Sequence, residues 1–103
     1  MRAVLVLSTA PDLKSASRIA RVLIAKRAAA CVTVLPDARS RYRWKGKTEN
    51  TRECVLLIKT SRERLKTLAK ALAAVHPYET PEILAFPASL VSKAYGRWMR
   101  EVL

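Results

Sequence analysis

The segment HPYETPE, residues 76–82, contains residue types that bind metal ions: the only histidine of the chain and two glutamates. Imidazole nitrogen and carboxylate oxygen both bind Cu²⁺ and Zn²⁺, but a lone imidazole makes a weak site, since tight binding needs two or more nitrogen or sulfur ligands. Pro77 and Pro81 keep the segment out of a helix, so His76 and Glu79 converge only if the loop folds back. The pattern predicts at most one weak metal site per chain, centred on His76.

A second candidate site is the row of basic residues from Arg39 to Lys47. A Lys or Arg occupies every second position, and Tyr42 and Trp44 lie between them. In a strand, alternate side chains point to opposite faces, so one face would be cationic and the other would carry the aromatic rings. This arrangement suits a nucleic-acid surface, in which basic side chains follow the phosphates and the rings stack on bases.

The same row is also typical of a solvated strand face whose aromatic side packs against a neighbouring subunit. RNA-binding sheets need aromatic residues on their central strands, whereas the two most apolar segments, RAVLVLS and ECVLLIKT, contain none. We therefore favour the solvated face. A nucleic-acid-binding module remains the alternative function.

Two charged residues, Glu53 and Lys59, flank the apolar Val55 and Leu57 on one face of a predicted strand. Six residues of extended chain put them about 20 Å apart, so they cannot pair with each other. Charges beside so apolar a strand need partners, because a buried unpaired charge is strongly unfavourable. The partner of each is either a ligand or a residue of another subunit, and the spacing leaves both open.

Motifs of enzymes are not found in the sequence. The segment STAPDLKS, after the first apolar run, has neither the glycine nor the arginine of a phosphate-cradling loop. No Ser or Cys lies in a recognisable nucleophile motif with the histidine, and Cys31, inside an apolar segment, is expected to be a core residue. These observations favour a non-enzymatic binding protein.

Length and composition predict a single domain over residues 1–103. Half of the residues are apolar and the net charge is +12, with Lys and Arg spread through every segment. Such a charge attracts anions in general, so an anionic small molecule or a protein partner is expected. No apolar run is long enough for a membrane span, and Pro11 comes too early for a signal-peptide core, so we expect a cytoplasmic protein with free thiols.

Apolar periodicity predicts four strands and three helices. Thr9 with Asp12, and Thr60 with Glu63, have the spacing of capping boxes at the starts of the first two helices. The predicted elements are a strand over about residues 2–8, a helix, a strand AACVTVL that breaks at Pro36 and continues extended to Lys47, a turn at TEN (48–50), a strand ECVLLIKT, a helix, a strand EILAFP and a terminal helix. This order is that of an α+β ferredoxin-like β-α-β-β-α-β sandwich with an extra C-terminal helix and a long β2-β3 hairpin.

Both faces of the predicted sheet are apolar. Right-handed crossovers put the two long helices on one face of the sheet. A sheet covered on one face normally has polar residues on the other, but the first and third strands have apolar residues on both faces. The terminal helix, with one apolar stripe from Tyr95 to Val102, is too short to cover four strands. Self-association is therefore expected to cover the second face.

Four segments in this order and at these separations resemble the CutA divalent-cation tolerance family: RAAACVTVLPDARSRYRWKGK, ECVLLIKT, HPYETPEILAFP and YGRW. The resemblance implies a cytoplasmic homotrimer of ferredoxin-like subunits, whose hairpins reach across to neighbouring subunits. It also implies a link to divalent-metal tolerance and copper binding, and an architecture similar to that of the PII signalling trimers. On this basis the candidate ligand cleft, between subunits, consists of Tyr42, Trp44, Glu53, Lys59, Tyr78 and Glu79.

The resemblance also bears on metal binding. In family members with a copper site, a thiol ends the first strand, and a second histidine lies directly before the histidine that corresponds to His76. This sequence has Ser8 and Val75 at those positions. Because both departures remove a good ligand, the expectation is weak binding of Cu²⁺ or another divalent cation at His76, with no other cofactor.

Overall fold

The computed structural model describes residues 1–103 as four strands and three helices, with one short 3₁₀ turn. In chain order they are β1 (Ala3–Ala10), α1 (Leu13–Ala25), β2 (Cys31–Trp44), β3 (Lys47–Ser61), the 3₁₀ turn (Arg62–Arg64), α2 (Leu65–Val75), β4 (Leu84–Pro87) and α3 (Lys93–Val102). The strands form one antiparallel sheet in the order β2-β3-β1-β4. The predicted ferredoxin-like fold is confirmed.

The hydrophobic core lies between the sheet and helices α1 and α2. From the sheet, Val6, Leu56 and Ile58 point into it and are completely buried. From the helices, Ile19 and Leu72 are completely buried against them. Each helix therefore contributes an apolar stripe at the spacing predicted from sequence.

The other side of the sheet, here called the open face, is apolar but poorly covered. Leu5 and Leu7 of β1 are half-buried, and they pair with Phe86 and Leu84 of β4, which are 46% and 51% exposed. On β2, Leu35 is 47% exposed. Helix α3 covers only one end, where buried Met99 packs against Ala3 and Ala30. The prediction of two apolar faces, one largely uncovered, is confirmed.

Both predicted capping boxes are wrong. The N-cap of α1 is Asp12, whose carboxylate accepts a 2.7 Å hydrogen bond from the backbone N–H of Ser15, while Thr9 lies within β1. Thr60 also belongs to a strand, and its hydroxyl donates to the carbonyl of Ala28 at 2.7 Å. Strand pairing therefore engages both threonines.

The predicted turn at residues 48–50 is also wrong, since these residues belong to β3. The hairpin turns instead at Lys45 and Gly46, whose φ angles are 50° and 79°. Two consecutive positive φ values are typical of the type I′ turn, whose twist matches that of the flanking strands. β2 therefore ends at Trp44, before the predicted Lys47, and the two strands pair as far as Trp44 and Lys47.

Pro36 interrupts strand pairing without ending β2. Leu35 pairs with Val55 and Ala38 pairs with Glu53, so β2 has one extra residue between these pairs. This bulge contains Asp37, with φ of 62°. Because one extra residue exchanges the two faces of a strand, the even-numbered residues beyond it join the open face.

None of the three helices is both long and apolar enough to cross a membrane. Both cysteines are free thiols, and Cys54 is buried in the core. Cys31 is partly exposed and is not a core residue, so the expectation that it belongs to the core is wrong. Desolvation raises the pKa of Cys54, which fits an unreactive core thiol.

Candidate functional site

A cavity of about 640 Å³, here called the hairpin cleft, lies where the β2-β3 hairpin meets the loop between α2 and β4. The bulge at Asp37 positions one wall, because it turns Tyr42 and Trp44 toward the same face as Glu53. The loop, kept irregular by its prolines, supplies the opposite wall. The charged and aromatic residues of the lining are Arg41, Tyr42, Trp44, Glu53, Tyr78, Glu79 and Glu82.

The structure brings together most of the predicted cleft residues. Tyr42, Trp44, Glu53, Tyr78 and Glu79 all line the hairpin cleft. Their role as a ligand site stays a prediction.

Lys59 lies outside the cleft, contrary to the predicted set. It lies opposite Cys31, toward the other end of β3, and its ammonium donates a 2.7 Å hydrogen bond to the hydroxyl of Thr33. Thr9, Ser40 and Arg41 also line the cleft and were not predicted. The bulge that brings Ser40 to this face was not recognised from the sequence.

Glu53 is the most buried charged residue of the cleft, with 5% of its surface exposed. The Tyr78 hydroxyl donates a 2.8 Å hydrogen bond to its Oε2 atom, and no Lys or Arg of the chain forms a salt bridge with it. Burial, and then the hydrogen bond to this carboxylate, raise the pKa of Tyr78. Tyr78 therefore remains a hydrogen-bond donor at neutral pH, and Glu53 has a neutral partner only.

His76 connects the loop to the sheet through both ring nitrogens. Nε2 lies 2.7 Å from the carbonyl oxygen of Thr9 and so carries the hydrogen, while Nδ1 accepts from the backbone N–H of Tyr78 at 3.0 Å. The ring also packs on that of Tyr78, with centroids 4.9 Å apart. This arrangement orients Tyr78 toward Glu53.

Metal binding at His76 would displace one of these two hydrogen bonds. Ser8 is completely buried and its hydroxyl has no hydrogen-bond partner, and Val75 is half-buried at the end of α2. Nowhere do three or more His, Cys, Asp or Glu side chains form a group that could hold a metal ion. The weak metal site at His76 stays a prediction.

The outer end of the cleft carries an ammonium group of the chain itself. Lys45 Nζ lies 5.7 Å from the centroid of the Trp44 ring and 3.8 Å from Glu79 Oε2. The Lys45 and Glu79 side chains are 70% and 76% exposed, so this ion pair adds little stability. Its geometry indicates that the Trp44 ring and the Glu79 carboxylate together can contact an ammonium group.

The charges of the cleft are opposite in sign to those of the whole chain. Three glutamates, Glu53, Glu79 and Glu82, line it, whereas the chain carries +12. Arg41 also contributes to the lining, but strand alternation directs its side chain to the face opposite Tyr42 and Trp44. The lining therefore disfavours the anionic ligand expected from total charge.

The basic row does not form one continuous cationic face. Arg39, Arg41 and Arg43 are exposed on the face opposite Tyr42 and Trp44, but the row ends at the turn. In the single chain, Tyr42 and Trp44 are 40% and 38% exposed. The arginines are solvated, as the favoured interpretation of the row requires.

Comparison with known proteins shows the family. The family model for the CutA1 divalent ion tolerance protein matches residues 4–102. The "Divalent-cation tolerance protein CutA" of Pectobacterium atrosepticum is 45% identical over 101 residues, which are 98% of this chain and 92% of that protein. "Protein CutA" of Homo sapiens is 40% identical over 94 residues, but this region is 52% of the human protein.

Solved structures agree with this result. The crystal structure of CutA from Xylella fastidiosa has a TM-score of 0.93 at 46% identity, and covers 96% of this chain and 95% of its own. The Cut A1 structure from Thermus thermophilus has a TM-score of 0.93 at 38% identity, with 97% of each chain covered. This chain therefore belongs to the CutA1 divalent ion tolerance protein family.

Proposed function

We propose that this chain is a non-enzymatic, homotrimeric protein of the divalent-metal response, and that it binds a ligand in the hairpin cleft. The observation that carries the proposal is the position of the cleft at the end of an apolar sheet face that the single chain leaves uncovered. Association through that face would bring the hairpin, and with it the cleft, next to a second subunit. The names of its relatives support the role in tolerance to divalent metal ions.

Assembly is supported by the character of the open face. Leu35, Leu84 and Phe86 are each about half exposed, and Leu84 and Phe86 pair with the half-buried Leu7 and Leu5 on the same face. Exposed apolar side chains grouped on one face are typical of an interaction surface. The long hairpin gives the chain an elongated shape of 45 × 26 × 23 Å. A closed ring of three subunits would cover this face and support the hairpins.

A binding role rather than catalysis is supported by the chemistry of the cleft. Both nitrogens of His76 form hydrogen bonds, and the raised pKa of Tyr78 keeps its hydroxyl from acting as a base near neutral pH. The proposal includes a ligand-sensing role in the cytoplasm, similar to that of PII trimers. Weak copper binding at His76 is part of it.

Two measurements test the proposal. Light scattering of the purified protein at micromolar concentration should give three times the chain mass of 11.5 kDa. Expression in a bacterial strain that lacks its own homologue should restore growth in elevated Cu²⁺, and Glu53→Gln should not. A monomer, or equal rescue by Glu53→Gln, would contradict the proposal, whereas Glu63→Gln, on the 3₁₀ turn, is the matched control that should rescue.

A further inference from the structure

Glu53 is a buried carboxylate without a cationic partner in its own chain. It is 5% exposed, and its hydrogen-bond donor is the uncharged hydroxyl of Tyr78. The transfer of a carboxylate from water is strongly unfavourable unless a cation and further donors replace the lost solvent. Because Glu53 lines the hairpin cleft, a positively charged group can reach it from there.

Aromatic rings line the path from the outer end of the cleft to Glu53. Trp44 lies beside the turn and Tyr42 lies two residues further in, both on the wall that faces the loop. Aromatic faces attract ammonium groups through the ring quadrupole, most strongly for Trp, and also contact alkyl chains. The lining thus suits a molecule that is both alkyl and cationic.

Lys45, whose side chain is alkyl and cationic, already occupies a position of this kind at the outer end of the cleft. Its butylammonium side chain lies within cation-π distance of Trp44, and its nitrogen is 3.8 Å from Glu79 Oε2. The same combination of a ring and a carboxylate occurs further inside, where Tyr42 and Glu53 line the cleft. Within the single chain no Lys or Arg forms a salt bridge with Glu53, so the chain itself leaves the inner position to a ligand.

We propose that the hairpin cleft binds a small alkylammonium compound, such as a linear diamine, with one ammonium group at Glu53 and the alkyl chain against Tyr42 and Trp44. This inference rests on the proposed function, in which the cleft is a ligand site, and names the chemical class of the ligand. A volume of about 640 Å³ accommodates such a molecule. Glu79 and Glu82 add negative charge around the opening, in a chain that is otherwise strongly basic.

Calorimetric titration of the whole protein with 1,5-diaminopentane tests the proposal, with 1,5-pentanediol as the uncharged ligand of the same length. The diamine should bind and the diol should not. Glu53→Gln keeps the side-chain shape but removes the charge, so it should weaken diamine binding by about tenfold or more, equivalent to one charged contact. Glu63→Gln, which lies outside the cleft, should leave the affinity unchanged.

Two further variants keep the test valid if Glu53→Gln folds poorly. Trp44→Leu should weaken diamine binding by roughly threefold to tenfold, because it removes the cation-π contact but keeps an apolar wall. Lys45→Met should strengthen it, since a competing ammonium is removed from Trp44 and Glu79. Lys26→Met, at the end of α1, removes the same charge elsewhere and should have no effect beyond that of net charge.

Three results would overturn the proposal. Equal binding of the diol would mean that charge is not recognised, and Glu53-dependent binding of Mg²⁺ or Cu²⁺ as tight as that of the diamine would mean a metal site. Absence of diamine binding would mean that the cleft does not take an alkylammonium ligand, as expected if a basic residue of a second copy pairs with Glu53. In each case light scattering and the copper-growth assay still test the proposed function independently.

Discussion

The hydroxyl of Tyr78 lies 2.8 Å from the carboxylate of Glu53, and this hydrogen bond joins the loop after α2 to the sheet. His76 fixes the same loop from its other side, through Thr9 of β1. The walls of the hairpin cleft are therefore connected by two side chains that lie two residues apart in the sequence.

Loss of the Tyr78 hydroxyl should destabilise the protein. Tyr78→Phe leaves the buried Glu53 carboxylate without its donor, and the expected loss is about 1–3 kcal/mol in the free energy of unfolding. Tyr95→Phe, on α3, is the control, because the Tyr95 hydroxyl forms no hydrogen bond in the chain. Urea unfolding of both variants measures the difference. Equal stabilities would mean that water replaces the donor and that Glu53 is solvated.

The same hydroxyl should make stability depend on pH at the alkaline end. The pKa of Tyr78 is raised in the folded chain from an ordinary value of 10.0, so above about pH 10 the unfolded chain loses a proton that the folded chain retains. Its contribution is therefore complete below pH 10 and decreases as the pH rises further. In Tyr78→Phe this part of the decrease should disappear, whereas deprotonation of lysines affects both proteins alike.

The sequence predicts the hydrophobic core of this protein better than it predicts the hairpin cleft. The apolar periodicity of helices α1 and α2 comes from residues such as Ile19 and Leu72, which are completely buried, so pattern and structure agree. Element ends were predicted less well, because Thr9 and Thr60 have the chemistry of caps but are held in strands by pairing with distant residues. The pattern of a short segment does not show that pairing with a distant strand will compete with helix capping.

The cleft depends on two backbone features that residue types do not disclose. Lys45 and Asp37 have positive φ, although glycine or asparagine is the usual residue in such a conformation. Lys45 is part of the hairpin turn, and Asp37 is part of the bulge that determines which face of β2 carries Trp44. The predicted cleft set includes Lys59, which lies outside the cleft of the single chain. The spacing along β3 separates Lys59 from Glu53 by about 20 Å, too far for both to line one small site within a chain.

The bulge should be sensitive to the residue at position 37. Asp37 has φ of 62°, a conformation that β-branched residues rarely adopt, so Asp37→Val should cost about 1–2 kcal/mol of stability. Asp37→Gly should be neutral or slightly stabilising, because the Asp37 ion pair with Arg52 is long, at 4.0 Å, and exposed. Thermal unfolding compares the two. A Val variant as stable as the Gly variant would show that the bulge can relax.

The open face should not tolerate a charge. Leu57 lies at its centre on β3, and Leu57→Lys would place an unpaired ammonium in the proposed subunit interface, at a cost of about 3–5 kcal/mol. We expect light scattering to find monomer or aggregate in place of the trimer. Thr48→Lys, on the other face of the same strand, is the matched control and should assemble normally. A well-behaved Leu57→Lys trimer would show that this face stays exposed.

Copper binding provides the last prediction, because His76 has no free ring nitrogen. Cu²⁺ must displace the Thr9 carbonyl or the Tyr78 amide, so calorimetry should find no more than one weak site per chain, and His76→Ala should abolish it. Loss of either bond releases Tyr78 from its orientation toward Glu53, so saturating Cu²⁺ should weaken diamine binding in the wild type but not in His76→Ala. Ser8→Cys combined with Val75→His should strengthen copper binding by supplying the two missing ligands. Tight binding that survives His76→Ala would place the metal site elsewhere.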